Sequence, residues 1–555
     1  MVEHRALRHC HQFYLDCQCN HRAPKMESTK AGVTKLDLSN SDCPKSEIAE
    51  DVHHHEGDSI NTHKHQQSRT EEKISIQEAA KSNPVALAWC CYMLFTCIMY
   101  GYDGLAGSIV LSINRFRQDY GYLYQGQYVV SAAWQLGFTA GSMAGIVLGG
   151  LLAGLAAKRI GQMGCIAASY LLSTAGVCLQ WFSVGSLPMF FGGKLLTGIP
   201  LGVFLTVAPV YCSEVAPPAL RGPFVAAVNW GQVMGQLLAY GVMQQTQSLQ
   251  TSRSYQIIFA VQWGFNAVGL TLVCFCPESP MRLLARGKEA AARKSIGRLY
   301  PRVDVDEKVV EIRAILDHER DLSKESGTFK TCFDRKNRLR TLIALSVFFF
   351  QANSGLAWVV GYMGYFLLLS GMADSIVFKV TLGIVGFMAV GNMVGWVMIE
   401  KFGRRTTIFS GMVFCTVSLL IIGVLGLFIN RSNSYIYAQA AFMALWAFSY
   451  QGSMGAAGYT LVAEVPTSSL REPTQSMATM TNGISNSVWS FALPYMINPD
   501  QANMGGKIAF IFFGLCLVAD VFIYFYYPET KGRSFEEIDD LFERNIPPRH
   551  FSKTT

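Results

Sequence analysis

The chain has 555 residues, half of them hydrophobic and only 15% charged, with 46 Lys and Arg against 39 Asp and Glu for a formal net charge of +7. Soluble globular domains carry about a quarter charged residues, so this composition, with its positive mean hydropathy, excludes an ordinary soluble protein.

The first 85 or so residues are polar and poor in aromatics, and end in "HKHQQSRTEEKISIQEAAKSNP". Such a segment cannot bury enough apolar surface to offset its ordering entropy, and disorder is expected. No charged region followed by an apolar core opens it, so no cleavable signal peptide is expected. Cys10, Cys17 and Cys19 stand among His9, His11 and His21. These are metal-ligand residue types, but their spacing matches no closed zinc pattern, and no metal or cofactor is expected. Translation from Met26 would remove the cluster altogether.

Twelve apolar runs follow, at 86–111, 129–157, 163–183, 188–212, 223–243, 255–275, 341–370, 376–399, 406–428, 436–460, 476–497 and 507–527. Each is about long enough to cross a bilayer as a helix. Their continuity rules against the ten-residue alternating strands of a closed barrel. The expected organisation is an all-α polytopic membrane protein: a disordered segment (1–85), a six-helix bundle (86–276), a linker with short helices (277–340), a second six-helix bundle (341–527) and a tail (528–555).

Basic residues orient it. The 277–340 linker holds sixteen Lys and Arg, and the short loops on its side add Lys158, Arg159, Arg221, Lys401, Arg404, Arg405 and Arg471. The opposite loops carry only Arg115, Arg117, Arg253, Arg431 and Lys507. Excess Lys and Arg mark the cytoplasmic side, which places the linker and both termini inside the cell. The net charge is then a matter of topology, and no nucleic-acid partner is needed to explain it. Asn430-Arg431-Ser432 is a glycosylation sequon on the outer side. Cysteines within the runs (Cys90, Cys91, Cys97, Cys178, Cys274) read as small apolar side chains.

The two bundles repeat one another. Glu214 to Arg221 reads "EVAPPALR" and Glu464 to Arg471 reads "EVPTSSLR"; "PESP" follows the sixth helix and "PETK" the twelfth; "AAKRIG" and "IEKFGRR" occupy the loop between second and third helices of each half. Duplicated six-helix units with a site at their interface are the layout of secondary transporters. Charge pairs at one face that form in one conformation and break in another supply a bistable gate. Glu214, Arg221, Glu278, Arg282, Glu400, Arg404, Arg405, Glu464, Arg471 and Glu529 are the candidate gating charges; the alternative is that they only anchor helix ends.

Polyol sites combine amide and hydroxyl partners with aromatic surfaces, and polar groups within membrane helices face protein or water. The fifth helix offers Asn229, Gln232 and Gln236; the seventh, Gln351 and Asn353. The tenth offers Trp446, Tyr450, Gln451 and Tyr459, and the eleventh Asn482 and Asn486. Any single amide could instead be interhelical glue, worth about 0.6–2 kcal/mol in membranes. In the first helix, "IMYGYDGLAGSIV" places one acid, Asp103, inside an apolar run. A charge there costs about 2.5–3.5 kcal/mol, so it needs a partner or a proton.

These motifs resemble the sugar porters of the major facilitator superfamily: "GYDG", "YCSEVAPPALRG" (211–222), "PESPMRLLARGKEAAA" (277–292), "EKFGRRT" (400–406) and "PETKGRSFEEIDDLF" (528–542). "GKLLTGIPLGVF", "VNWGQVMGQLLAYGV", "YQIIFAVQW", "PYMINP" and the tail "FERNIPPRHF" are closer to fungal maltose and α-glucoside permeases. The resemblance implies a sugar importer of the plasma membrane, working as a monomer in the lipid bilayer by proton symport. It pairs Asp103 with Lys194 of the fourth helix, where related symporters have arginine. Among the amides it selects Gln236, Gln351, Asn482 and Asn486 as sugar ligands, beside Gln232, Asn353 and Trp446, and sets Tyr459 where many members have tryptophan. The chain departs from the pattern at Ala352 and Ala357, which replace two amides of monosaccharide porters, at Gly455-Ala456 in place of Gly-Pro, and at Lys158-Arg159-Ile160-Gly161-Gln162-Met163, where an acid has become a base. A facilitator, or a sensor that binds sugar without carrying it, are the competing expectations.

Overall fold

The computed structural model describes residues 81–325, 330–428, 432–467, 470–533, 535–544 and 546–553. The polar N-terminal segment with its Cys and His cluster, and Asn430 and Arg431 of the sequon, lie outside the described residues. Twelve long helical segments follow one another: α1 Pro84–Ile109, α2 Ala132–Ile160, α3 Gln162–Phe182, α4 Leu187–Val215, α5 Pro218–Thr246, α6 Arg253–Val273, α7 (338–369), α8 Asp374–Phe402, α9 Arg404–Leu427, α10 (434–464), α11 Arg471–Ile497 and α12 Ile508–Tyr526. Two are interrupted. α7 passes through a π-turn at Ala357–Gly361 and α10 through one at Gln451–Gly455.

Among the described residues nine helices are long and apolar enough to cross a membrane; α5, α10 and α11 are the exceptions. α5 and α11 are diluted by amides and hydroxyls, the polar groups a solute site requires.

Helix starts follow local chemistry. Pro84 and Pro218 stand at first helical positions, where a missing N–H costs nothing, and Pro218 draws α5 five residues ahead of its expected start at 223. α2 begins at Ala132, because the preceding residues form a hairpin, Tyr122–Tyr124 against Gln127–Val129. Its two-residue turn has positive φ at both Gln125 (47°) and Gly126 (81°), the primed geometry that suits twisted strands.

The halves share one packing plan. α1 packs on α5, α2 on α4, and α3 on both α4 and α6; in the second half α7 packs on α11, α8 on α10, and α9 on both α10 and α12. The halves meet where α5 lies on α8 and α2 on α11, each contact the repeat-equivalent of the other. With little hydrophobic drive between helices in lipid, small residues allow the close approach. A Cβ on Gly149 would lie 2.0 Å from the Ile199 carbonyl oxygen, and one on Gly202 2.1 Å from that of Ile146, so α2 and α4 touch backbone to backbone. α8 and α10 do likewise: a Cβ on Gly391 would lie 2.5 Å from the Phe448 carbonyl.

Helices Pro280–Ala285, Glu289–Leu299 and Val305–Glu325 form the linker; Tyr300 donates to the Val215 carbonyl at 2.7 Å and ties it to the end of α4. The tail helix Phe535–Glu543 docks at the start of α7, where buried Arg340 pairs with Asp539 and lies 4.5 Å over the Phe542 ring.

Candidate functional site

Asp103 and Lys194 meet inside the first half. Lys194 Nζ lies 3.1 Å from Asp103 Oδ1, and both side chains are buried. Gln262 of α6 donates from Nε2 to the same oxygen at 2.8 Å, so α1, α4 and α6 converge on one atom. Asp103 Oδ2 is buried with no partner among the described residues. The ammonium also approaches the Asp103 carbonyl at 3.4 Å and sits 5.8 Å from the Phe259 ring centre. The Lys194 stem reaches this position by passing Gly107, where a Cβ would come within 3.0 Å of Cε. The pair is therefore monodentate. A second amide layer adjoins it: Gln180 donates to Thr197 at 3.1 Å, and Asn266 of α6 to Ser173 of α3 at 3.1 Å.

In the second half, Asn482 of α11 donates to Gln351 Oε1 of α7 at 3.1 Å, and Asn486 bonds both the side chain and the carbonyl of Asn482. The buried Tyr450 hydroxyl lies beside Gln351. These residues come together as one cluster. Asn353 belongs to a neighbouring contact, accepting from Trp489 Nε1 at 3.0 Å. Trp446 is fully buried, stacked on Tyr450 with ring centres 5.1 Å apart and planes 7° apart, and presents no surface to a solute in this conformation. Beyond the π-turn, α10 presents Tyr459, 39% accessible and packed on Phe348. Gln236 is part-buried with Oε1 unpartnered among the described residues, and Gln232 is part-buried, its backbone carbonyl packed against Gly101.

Across the seam, Asn229 of α5 donates to Gln451 Oε1 at 3.1 Å and to the Gly455 carbonyl at 3.2 Å, and Asn392 of α8 reaches the same Gln451 oxygen at 3.3 Å. The π-turn of α10 aims Gln451 into this junction. Sequence reasoning missed Asn392, an amide in the apolar run "AVGNMVGW" that the criterion used for the other helices would have found. Gln262 was missed in the same way.

Further hydrogen bonds join the halves at the end opposite the linker. Gln135 of α2 donates to Asn498 Oδ1 at 2.8 Å, Asn498 to the Val130 carbonyl at 3.0 Å, Tyr122 to Asp500 at 2.6 Å, and Tyr240 to the Val360 carbonyl at 3.1 Å. The halves are thus fastened at that end.

At the linker end the repeated motifs build matching anchors within each half. Glu278 accepts from the backbone N–H groups of Gln162 (2.7 Å) and Met163 (3.3 Å), capping α3. Glu529 accepts from those of Arg404 (2.9 Å) and Arg405 (3.1 Å), capping α9. Each helix start is a natural seat for a carboxylate. Gly161 and Gly403, both at φ 90°, bring the backbone around these acids. The anchors then diverge. Arg404 grips Glu464 through Nη2 (2.8 Å) and Nε (3.2 Å), with Thr530 also donating to Glu464 at 2.6 Å. In the first half Gln162 offers Glu214 one amide bond at 3.3 Å. Arg405 bonds the Tyr524 carbonyl, Arg282 lies part-buried after the Ser279 cap, and Glu400 is exposed. The side chains of Lys158, Arg221 and Arg471 lie outside the description.

Residues 89–542 match the family model described as "Sugar (and other) transporter". The chain belongs to that family. Among its relatives, the general alpha-glucoside permease of Saccharomyces cerevisiae (strain ATCC 204508 / S288c) is 31% identical over 498 residues, 88% of this chain and 80% of the permease. A maltose permease of the same yeast is 28% identical over 496 residues, 87% of this chain and 80% of its own length. The xylose transporter XylE from E. coli in an inward open conformation superposes with a TM-score of 0.67 at 20% identity, covering 82% of this chain and 99% of that one. The fold is that of the major facilitator superfamily, and the chain is a multi-pass membrane transporter, not an enzyme.

Proposed function

We propose that the protein imports a sugar, most simply an α-glucoside such as maltose, across the plasma membrane by proton symport through alternating access. The observation that carries the coupling is the buried Asp103–Lys194 contact with one carboxylate oxygen left open. A nearby cation favours the ionised carboxylate, while desolvation favours the protonated one. Motion of Lys194 away from Oδ1 exchanges one condition for the other, and Gln262 holds the carboxylate in place meanwhile. Each proton entering with the membrane potential supplies about 2.3 kcal/mol per 100 mV.

The sugar is assigned to the seam between halves, to Gln232 and Gln236 on one side and Gln351, Asn482, Asn486 and Tyr459 on the other, with Asn353 at the edge and Trp446 supporting Tyr450 from behind. The similarity to yeast α-glucoside and maltose permeases supports the α-glucoside class. The basic linker and both termini face the cytoplasm, so the fastened end faces outward. The protein acts as a monomer, and Glu278, Glu529 and the Arg404–Glu464 pair belong to the cytoplasmic gate.

Uptake of labelled maltose and glucose by transporter-deficient cells at several external pH values tests this. Saturable maltose uptake that rises with acidity and is lost in Asp103→Asn is expected. Uptake indifferent to both points to facilitation, and surface expression without any uptake to a sensor.

A further inference from the structure

Asp520 is a second acid inside a membrane helix, in "LVADVF" of α12, on the far side of the molecule's repeat from Asp103. We propose that Asp520 carries a proton at neutral pH and forms a second proton site of this protein, seated between α9 and α12 and separate from the Asp103 pair.

The count of donors carries the inference. Asp520 Oδ2 lies 2.6 Å from Thr416 Oγ1 of α9. The Thr416 hydroxyl also lies 2.9 Å from the Met412 carbonyl, one turn back on its own helix. A threonine hydroxyl owns one proton and two lone pairs. A carbonyl can only accept and so can an ionised carboxylate, so the single Thr416 proton cannot serve both contacts while Asp520 is charged; a proton on the Asp520 carboxyl satisfies both, the acid donating to Thr416 and the hydroxyl to Met412. Thr416 thus accepts from a carboxylic acid and donates to a backbone carbonyl, a chain in which each proton has one place.

The surroundings agree. Asp520 Oδ1 is buried without a partner among the described residues. An ionised carboxylate there would have one neutral donor for two charged oxygens, in a medium that penalises bare charge. The groups around it are Thr416, Cys415 and Cys516. The Cys415 thiol points to the Trp446 carbonyl and that of Cys516 to the Ser354 carbonyl. Arg405 of α9 bonds the Tyr524 carbonyl, one turn further along α12, and is not among the partners of Asp520. A neutral acid explains how α12 tolerates this residue with no cation beside it among the described residues, whereas the first half supplies one to Asp103 through Lys194.

Infrared spectra of the purified, reconstituted protein at pH 7, taken for wild type and Asp520→Asn, test the assignment. Loss of a carboxylic-acid C=O band in the variant is expected, and Thr416→Val should keep that band but shift it, because the acid loses its acceptor. Loss of carboxylate bands instead overturns the proposal. A measurement on wild type alone covers a variant that fails to fold. Dicyclohexylcarbodiimide reacts with a protonated carboxyl in an apolar setting: the acid proton passes to one carbodiimide nitrogen, the carboxyl oxygen bonds the central carbon, and the acyl group then moves to the other nitrogen. Membranes treated at pH 7 should yield an Asp520 adduct by peptide mapping. An Asp520 that stays unmodified while other carboxyls in the protein react overturns the proposal equally.

Discussion

Gln162 and Arg404 occupy the same step of the two halves, immediately after Gly161 and Gly403, yet one gives its glutamate a single amide bond and the other a two-pronged ion pair. The fold keeps the backbone cap in both places, through Glu278 and Glu529, and lets the side-chain part differ. The first half therefore holds Glu214 by a neutral amide donor with Arg282 acting on it electrostatically, and the second holds Glu464 by a direct guanidinium pair.

That asymmetry is measurable. Hydrogen bonds to charged groups contribute about 1.5–3 kcal/mol, and a bidentate pair between two charged groups exceeds a single bond from a neutral amide. Arg404→Gln should cost the second half about 1–2 kcal/mol, more than Gln162→Ala costs the first. Gln162→Arg, which restores the pair with Glu214, should raise the melting temperature of the purified protein. A lower melting temperature in that variant would show that Glu214 has no room for a guanidinium.

Breaking the buried pair should be expensive from either side. Asp103→Asn strands the Lys194 ammonium and Lys194→Met strands the carboxylate, each at about 3–5 kcal/mol. The double variant removes both charges and should be more stable than either single variant, which a double-mutant cycle on thermal melts would reveal. If the double loss equals the sum of the singles, the two residues do not act as a pair.

Close helix contact makes another demand. Gly149→Val should abolish the folded protein, because its Cβ would meet the Ile199 carbonyl at 2.0 Å. Gly150→Ala, one residue on, meets nothing nearer than Thr206 Oγ1 at 3.6 Å and should be tolerated. Yield by fluorescence-detected size exclusion distinguishes them; equal yields would refute the backbone contact.

Asn498 joins Gln135, Tyr365 and the Val130 carbonyl at the fastened end. Asn498→Ala should loosen that end by about 1–2 kcal/mol, shifting the conformational ratio roughly five- to thirty-fold. A Ser112→Cys reporter, buried beside Gly364 in the parent, should then react faster with an impermeant maleimide added from that side. An unchanged rate would mean that Asn498 does not fasten the halves.

Much of this was legible in the sequence because membrane spans announce themselves by length and hydropathy. The repeat was legible because "PESP" and "PETK" cap α3 and α9 by the same bonds. The Asp103 carboxylate stood out because nothing near it in sequence could solvate it. Reading failed where three-dimensional context decides. Trp446, expected beside the sugar, is stacked on Tyr450 and buried in this conformation, whereas Tyr459 beyond the π-turn is exposed, a difference the apolar run of α10 does not announce. Asn392, Gln262 and Asp520 are single polar letters in apolar runs, and only their partners on other helices give them a meaning.

Both π-turns lie in the second half, in α7 and α10, whereas α1 and α4 of the first run through the membrane without one, even though α4 carries Pro200 and Pro209. A π-turn stores one surplus residue, and moving that surplus along the helix rotates everything beyond it by a fraction of a turn without breaking the rod. The halves thus differ in where their helices are interrupted: α7 over 354–361 and α10 at Gln451–Gly455, against no π-turn in α1 or α4 among the described residues. If the proposed assignment holds, a sugar drawn against Gln351 meets the half that carries both π-turns, while the proton is taken up at Asp103 in the half whose α1 and α4 have none.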